Sequence, residues 1–290
     1  MTWWEAIVLG LVQALTEFLP ISSSAHVRIV GSLLLDGADV GAMFTAVIQI
    51  GTELAVLVYF RHDIARIIAA WWRSLRALRR PDGGWRNPFS LPDPDARMGW
   101  LIILGSVPIV LLGVLFTEAI EGALRDLRWT AATLVIFAVL LGLADRYGRK
   151  ERELDRLTAR HGVAFGLAQA MALIPGVSRS GGTITAGLAM GYTREAAARY
   201  SFLLAIPAVL GSGVYEAVRA AAGHEQGGVA VGVGSIVLAT AVAFVVGFAV
   251  IVWFLRYVTT RGYGVFVVYR FALAALVLVL LATGVLEPIS

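Results

Sequence analysis

The strongest constraint on this chain is its pattern of apolar stretches, six of them long and two broken in the middle. A helix that crosses a bilayer needs about 20 mostly apolar residues. Segments 42–60, 98–117, 129–145, 200–219, 231–255 and 265–286 meet that standard approximately. Stretches 3–35 and 162–192 are also apolar, but each is interrupted. The first breaks at Pro20-Ile-Ser-Ser-Ser-Ala-His26 and the second at Pro175-Gly-Val-Ser-Arg-Ser-Gly-Gly-Thr183. Their halves are too short to span and suit re-entrant helix pairs. Composition agrees. Only 15% of residues are charged, against about 25% in an average soluble domain. The expectation is an all-α polytopic membrane protein, with six transmembrane helices plus two re-entrant helix pairs in an inverted-topology repeat. The chain has no cysteine, which excludes disulfides and thiolate metal sites. Nothing in it suggests a nucleic-acid partner. The N-terminus lacks the basic start of a secretory signal, and Gln13 and Glu17 interrupt its apolar run.

The broken stretches resemble each other. Gly10-Leu-Val-Gln13-Ala14 parallels Gly166-Leu-Ala-Gln169-Ala170, and each is followed by a proline and a serine cluster. Three full spans follow each break. A re-entrant pair does not cross, and three spans cross an odd number of times. The second pair therefore enters from the side opposite the first, and the two breaks meet near the midplane. The expected organisation is one membrane domain over 1–290. Repeat one covers 1–145 with its re-entrant pair at 3–35, and repeat two covers 162–290 with its pair at 162–192.

Arginines orient this map. Under it, 19 of the 24 basic residues fall on one side. They come from the 61–97 and 146–160 loops together with Arg194, Arg199, Arg256, Arg261 and Arg270. The other side receives Arg28, Arg125, Arg128 and Arg219, and Arg179 sits in the second break. Positive residues mark the cytoplasmic face, so both termini and the first break face outward. Arg61–Arg80, with Trp71 and Trp72 among its arginines, reads as an interfacial amphipathic helix on anionic lipid. Segment 81–97, rich in proline, glycine and aspartate, reads as a surface loop.

Ionisable residues at membrane depth are costly and mark function by default. Glu17, His26, Glu53 and Arg179 qualify. Gln13 and Glu17 are one helical turn apart and share a face. Ser22, Ser23 and Ser24 precede a half-helix expected to start near Ala25, and Ser180-Gly181-Gly182-Thr183 opens another. Helix N-termini aimed at one point make an anion site. Arg179 adds a permanent charge whose fork suits phosphate. The hydroxyls of Ser178, Ser180 and Thr183 can donate to phosphate oxygens. Each residue also has a plain structural reading. The serines can be caps, His26 a hydrogen-bonded core residue, and Glu17 with Arg179 a buried ion pair. Glu53 reads mainly as a hydrogen-bonding partner for a neighbouring helix. Convergence of the other groups on the two breaks favours a site there.

Gln13-Ala-Leu-Thr-Glu17, followed by Phe-Leu-Pro-Ile-Ser-Ser-Ser-Ala-His26, resembles the (E/Q)xxxE region of the undecaprenyl-pyrophosphate phosphatase family, the bacitracin-resistance membrane phosphatases. Pro175 to Thr183 is similar to that family's PGxSRSxxT motif without departure, and the layout matches over essentially the whole chain. The resemblance implies hydrolysis of undecaprenyl pyrophosphate to undecaprenyl phosphate and inorganic phosphate. It also implies a divalent cation, Mg2+ or Ca2+, and a site facing outward from the bacterial plasma membrane. Partners on this reading are a polyprenyl pyrophosphate lipid, the membrane and a second copy of the chain as a homodimer.

The expected roles follow. Arg179 and the helix N-termini hold the diphosphate, with hydrogen bonds from Gln13, Ser22, Ser24, Ser178, Ser180, Gly181, Gly182 and Thr183. Glu17 orients a cation or the nucleophile, and His26 is general base or acid. The nucleophile is Ser23 activated by His26, an activated water, or His26 itself. Two other readings compete. A secondary transporter or flippase for a phosphorylated lipid would use the same architecture. The acid-phosphatase-like membrane family would share Ser24-Ala-His26 and Ser178-Arg179 but needs a second histidine that is missing.

Overall fold

The computed structural model describes residues 1–35, 41–79, 84–116, 126–221 and 231–288. Among them the structure is helical: α1 (Trp3–Glu17), α2 (Ser23–Leu34), α3 (Ala42–Tyr59), α4 (Arg61–Ala77), α5 (Pro94–Leu115), α6 (Leu127–Tyr147), α7 (Ala159–Ala170), α8 (Arg179–Ala189), α9 (Arg194–Ala221), α10 (Val233–Thr260) and α11 (Gly264–Ala282). Helices α5, α6, α9, α10 and α11 are long and apolar enough to cross a membrane. Counting α3 and α4, which bend by 78° at their junction, as one span gives six. The chain is therefore a multi-pass membrane protein with five to six spans. Four helices fall short of a crossing: α1 has 15 residues, α2 has 12, α7 has 12 and α8 has 11. These are the halves of the two broken stretches.

Local chemistry sets several boundaries. Thr2 and Glu5 close a reciprocal capping box on α1. Asp93 caps α5 with Pro94 in its first turn. That start lies inside the expected surface loop, because an aspartate followed by proline begins a helix where composition alone suggests coil. Residues 81–83 of that loop, and Arg80 and Arg125, lie outside the described residues.

Each broken stretch rests on a span from the other half of the chain. Helix α1 packs on α10, and α7 packs on α5. Glycine permits both approaches. A Cβ on Gly10 would sit 2.6 Å from the Ala239 carbonyl oxygen, and one on Gly166 would sit 2.4 Å from that of Gly105. Small residues at such crossings let backbones touch where no water drives association. Helices α3 and α9 pack together, as do α6 and α11. Phe18, in the first break, lies edge-on to Phe202 at 5.4 Å within the largest apolar cluster.

The arginine-rich segments gather at one end of the bundle. Arg199 pairs with Asp63 at 3.0 Å, Arg66 with Asp95 at 3.2 Å and Arg194 with Asp145 at 2.6 Å. Tyr263 N–H donates to the same Asp145 at 2.8 Å. Arg270 is the exception to the charge map. It is fully buried in α11, inside the bundle and not at the solvated end to which its position in sequence assigned it. Helix α4 buries Ile67, Ala70 and Ser74, and Ser74 accepts from Trp100 of α5. Its opposite face exposes Ile68 and Trp72.

Candidate active site

The two breaks meet through Glu17. This glutamate ends α1, and its side chain is only 4% exposed. Gln13, one turn earlier, donates from Nε2 to Glu17 Oε2 at 2.8 Å. Ser23, the first residue of α2, donates from Oγ to the same oxygen at 2.5 Å. Arg179, the first residue of α8, pairs through Nη2 with Glu17 Oε1. Ser180 Oγ donates to the Leu19 carbonyl at 3.0 Å, a second link between the breaks. An almost fully desolvated carboxylate requires such partners, since an unpaired buried charge is very costly.

The breaks share an unusual backbone. Ser22 and Ser178 precede α2 and α8 with φ of +73° and +71°. Few non-glycine residues adopt this left-handed region, and such residues cluster at functional sites. In each break the serine hydroxyl lies 3.2 Å from that of a second serine two residues on, Ser24 or Ser180. Capping differs between them. Ser178 Oγ accepts from Gly181 N–H at 3.1 Å, whereas Ser22 makes no side-chain cap. The first half-helix starts at Ser23 rather than near Ala25, so Ser23 and Ser24 lie inside its first turn.

Four expectations change here. His26 does not hydrogen-bond Ser23. Its Nδ1 lies 2.7 Å from the Ser22 carbonyl and its Nε2 lies 2.7 Å from the Tyr269 hydroxyl, while Ser23 is held by Glu17. Thr183 does not face the site. Its Oγ1 donates to Arg179 O at 2.8 Å, lies 2.5 Å from Ser201 Oγ and is fully buried against α9. Gly182 serves packing, since a Cβ there would sit 2.8 Å from the Ala168 carbonyl oxygen, and Gly181 leaves room for Arg270 at 3.0 Å. Glu53 makes no hydrogen bond to a neighbouring helix among the described residues, and its buried Oε1 has no partner.

Two further residues hold the site and went unnoticed in the sequence. Arg270 donates to the Pro20 carbonyl of the first break and to Gly176 and Val177 of the second, at 3.1, 2.8 and 3.2 Å. Its other bonds go to Leu134 and Thr133 carbonyls at 3.2 and 3.4 Å. Tyr269, next to it, stacks on His26 at 5.5 Å as well as bonding it. An arginine a turn and a half inside the last apolar stretch was the available signal. Gly176 completes the second break with φ of +91°, and a Cβ there would overlap Thr133.

A cavity of about 550 Å³ opens from this cluster. Glu17, Ser23, Ser24, Ser178 and Arg179 line its polar end, and Ile109, Val110 and Val114 of α5 extend its apolar wall. The shape suits a ligand with an anionic head and a hydrocarbon tail. A guanidinium and two helix N-termini at the head end favour phosphate. A serine hydroxyl hydrogen-bonded to a carboxylate is placed for proton transfer. For a hard cation the donors are oxygens: the Glu17 carboxylate, the Ser23 hydroxyl and Gln13 Oε1, which is buried without a partner. No group of three or more His, Asp or Glu side chains able to hold a metal gathers among the described residues. The set fits a cation that completes its shell with substrate oxygens, not one caged by protein.

A family model described as "Bacitracin resistance protein BacA" matches residues 6–276. The "Undecaprenyl-diphosphatase" of Paenarthrobacter aurescens (strain TC1) is 57% identical over 287 residues, covering 99% of this chain and all of that protein. The "Undecaprenyl-diphosphatase 2" of Agrobacterium fabrum is also 57% identical over 287 residues, covering 99% of this chain and 98% of its own. That of Thermobifida fusca (strain YX) is 55% identical over 288 residues, covering 99% and 92%.

Proposed function

From the bacitracin resistance protein BacA family, to which this chain belongs, and from the site above, we infer that it is an undecaprenyl-diphosphatase. It hydrolyses undecaprenyl pyrophosphate to undecaprenyl phosphate and inorganic phosphate. The product is the lipid carrier for cell-wall polymers. One observation carries the reading at the level of chemistry: Arg179, Glu17 and Ser23 form one bonded cluster at the head of an amphiphilic cavity.

The roles are as follows. Arg179 and the N-termini of α2 and α8 take the diphosphate, since phosphoryl transfer is catalysed mainly by positioning and charge stabilisation. Ser23 Oγ attacks the terminal phosphorus, and its proton passes to Glu17. The bond from that phosphorus to the bridging oxygen breaks, releasing undecaprenyl phosphate. Water then hydrolyses the phosphoserine to free phosphate. The 2.5 Å bond between Ser23 and Glu17 supports Glu17 as the base. His26, held by Tyr269, braces the start of α2. Glu17 and Gln13 Oε1 would hold Mg2+ or Ca2+, which when bound offsets phosphate charge. The prenyl chain lies along the α5 wall.

The two halves of the chain form an inverted repeat with outward-facing termini and an outward-opening site. The paired glycine contacts of α1 and α7 and the matched Ser22 and Ser178 backbones support the repeat, and the one-sided arginine distribution supports the orientation.

Phosphate release from undecaprenyl pyrophosphate by purified protein, with no ion gradient, tests the activity. Arg179→Ala and Glu17→Ala should each lower turnover by about 100-fold or more while the protein still inserts and purifies. Near-normal turnover in either variant removes that residue from its role. Labelled substrate should trap a phosphoserine that is lost in Ser23→Ala. Hydrolysis without that adduct assigns the attack to water.

A further inference from the structure

Helices α5 and α9 touch at one level and part at another. Tyr200 of α9 donates to the Leu101 carbonyl of α5 at 2.9 Å. One turn further along, a Cβ on Gly105 would sit 2.8 Å from Leu204 Cδ1. Beyond that level the two helices no longer meet. Ile109 and Gly113 of α5, with Ala208 and Gly211 of α9, line the site cavity instead. Val110, Val114 and Tyr215 line it too, and each is half exposed or more. All of these residues lie in helices long and apolar enough to cross a membrane, so exposure there means contact with lipid. The cavity that holds Glu17, Ser23 and Arg179 at its polar end therefore opens sideways between α5 and α9.

Two glycines stand in this opening without a packing reason. Gly51, Gly105 and Gly247 are each held where a Cβ would meet a neighbour at 3.2 Å or less. A Cβ on Gly113 would meet only Leu173 Cδ2, at 3.9 Å, and one on Gly211 would meet nothing within 4 Å. Glycine inside a helix destabilises it relative to alanine, and no close helix contact offsets that cost here. The remaining use of a missing side chain is to leave room for a ligand. Size requires such room. A cavity of about 550 Å³ encloses a drug-sized ligand, and an undecaprenyl chain is far larger. Most of the chain must leave the cavity while the diphosphate is held by Arg179.

We propose that Gly113 and Gly211 form the portal through which the prenyl chain passes from the site into the bilayer, and that they determine acceptance of long chains over short ones. The proposal rests on the phosphatase reading, which supplies the lipid. It also places the portal along the membrane normal. Arg199 of α9 pairs with Asp63 at the arginine-rich end, and Gly211 lies twelve residues further on, about 18 Å along the helix. The chain thus leaves through the half of the bundle away from the arginines. A side chain at either glycine would narrow the exit without touching Glu17, Ser23 or Arg179, so it would act against the tail and not against the head.

The test compares two substrates on purified full-length protein: undecaprenyl pyrophosphate and farnesyl pyrophosphate, whose short chain needs little of the exit. In Gly113→Leu and Gly211→Leu the ratio of kcat/KM for the long substrate over the short one should fall about tenfold or more, through a higher KM for the long chain. Gly113→Ala and Gly211→Ala should keep or raise the unfolding temperature, because the added methyl group enters open space and favours the helix. An unchanged substrate ratio in both leucine variants, with wild type active, would overturn the proposal and leave the phosphatase reading standing. An equal loss on both substrates would also overturn it, since that is damage to the head site. A fall in unfolding temperature in the alanine variants would overturn it by assigning the glycines to packing. Wild type that hydrolyses neither lipid would overturn the phosphatase reading, and the portal with it.

Discussion

Arg270 shows how much one side chain can organise when water is absent. Its five donors meet carbonyls from both breaks and from α6. Removing it strands several buried acceptors, each worth about 1–3 kcal/mol. Arg270→Met should therefore lower stability by about 3 kcal/mol or more, read as a large fall in unfolding temperature in detergent. Arg270→Lys should rescue it only partly, because an ammonium cannot reproduce the planar fork. Ser178 gives a finer test. Its φ of +71° suits glycine, and its hydroxyl caps α8. Ser178→Ala loses a cap worth about 1 kcal/mol, and Ser178→Gly only a few tenths. The glycine variant should thus unfold at the higher temperature of the two; the reverse order would mean that the backbone at this break is not strained.

At the scale of elements, the short helices are held by close backbone contact more than by burial of large side chains. Gly10 on α1 and Gly166 on α7 each press on a carbonyl of a span from the other half. Gly166→Ala and Gly10→Ala should each cost about 1–3 kcal/mol through overpacking. Gly142→Ala on α6, where a Cβ would meet nothing nearer than 3.6 Å, should leave stability unchanged or slightly improved. Thermal unfolding of the three variants separates these outcomes. Equal stability throughout would show that α1 and α7 can slide without loss. Activity should fall in the two tight-contact variants, because the same helices carry Glu17 and the turn leading to Arg179.

For the whole molecule, the proposal to test is orientation. Because the chain contains no cysteine, single cysteines report their side cleanly. Glu287→Cys, next to the C-terminus, should react with an impermeant maleimide in intact cells. Arg149→Cys, in the arginine-rich 146–160 loop, should react only after the membrane is opened. Labelling of Arg149→Cys from outside would invert the map and point the site inward.

The spans, the two breaks and the residues that meet there were legible in the chain itself, because hydropathy, proline and serine act locally and leave a periodic trace. Glu17, Ser23 and Arg179 could be named from that trace. What each side chain would face could not. A short glycine- and serine-rich helix is covered by neighbours over most of its surface, so composition does not reveal which way Thr183 or His26 turns. Packing decided that Thr183 meets Ser201, that Tyr269 claims His26, and that Arg270 leaves the solvated end to bind both breaks. Such contacts between different helices depend on how those helices rotate and cross, and that is fixed only when the whole bundle closes.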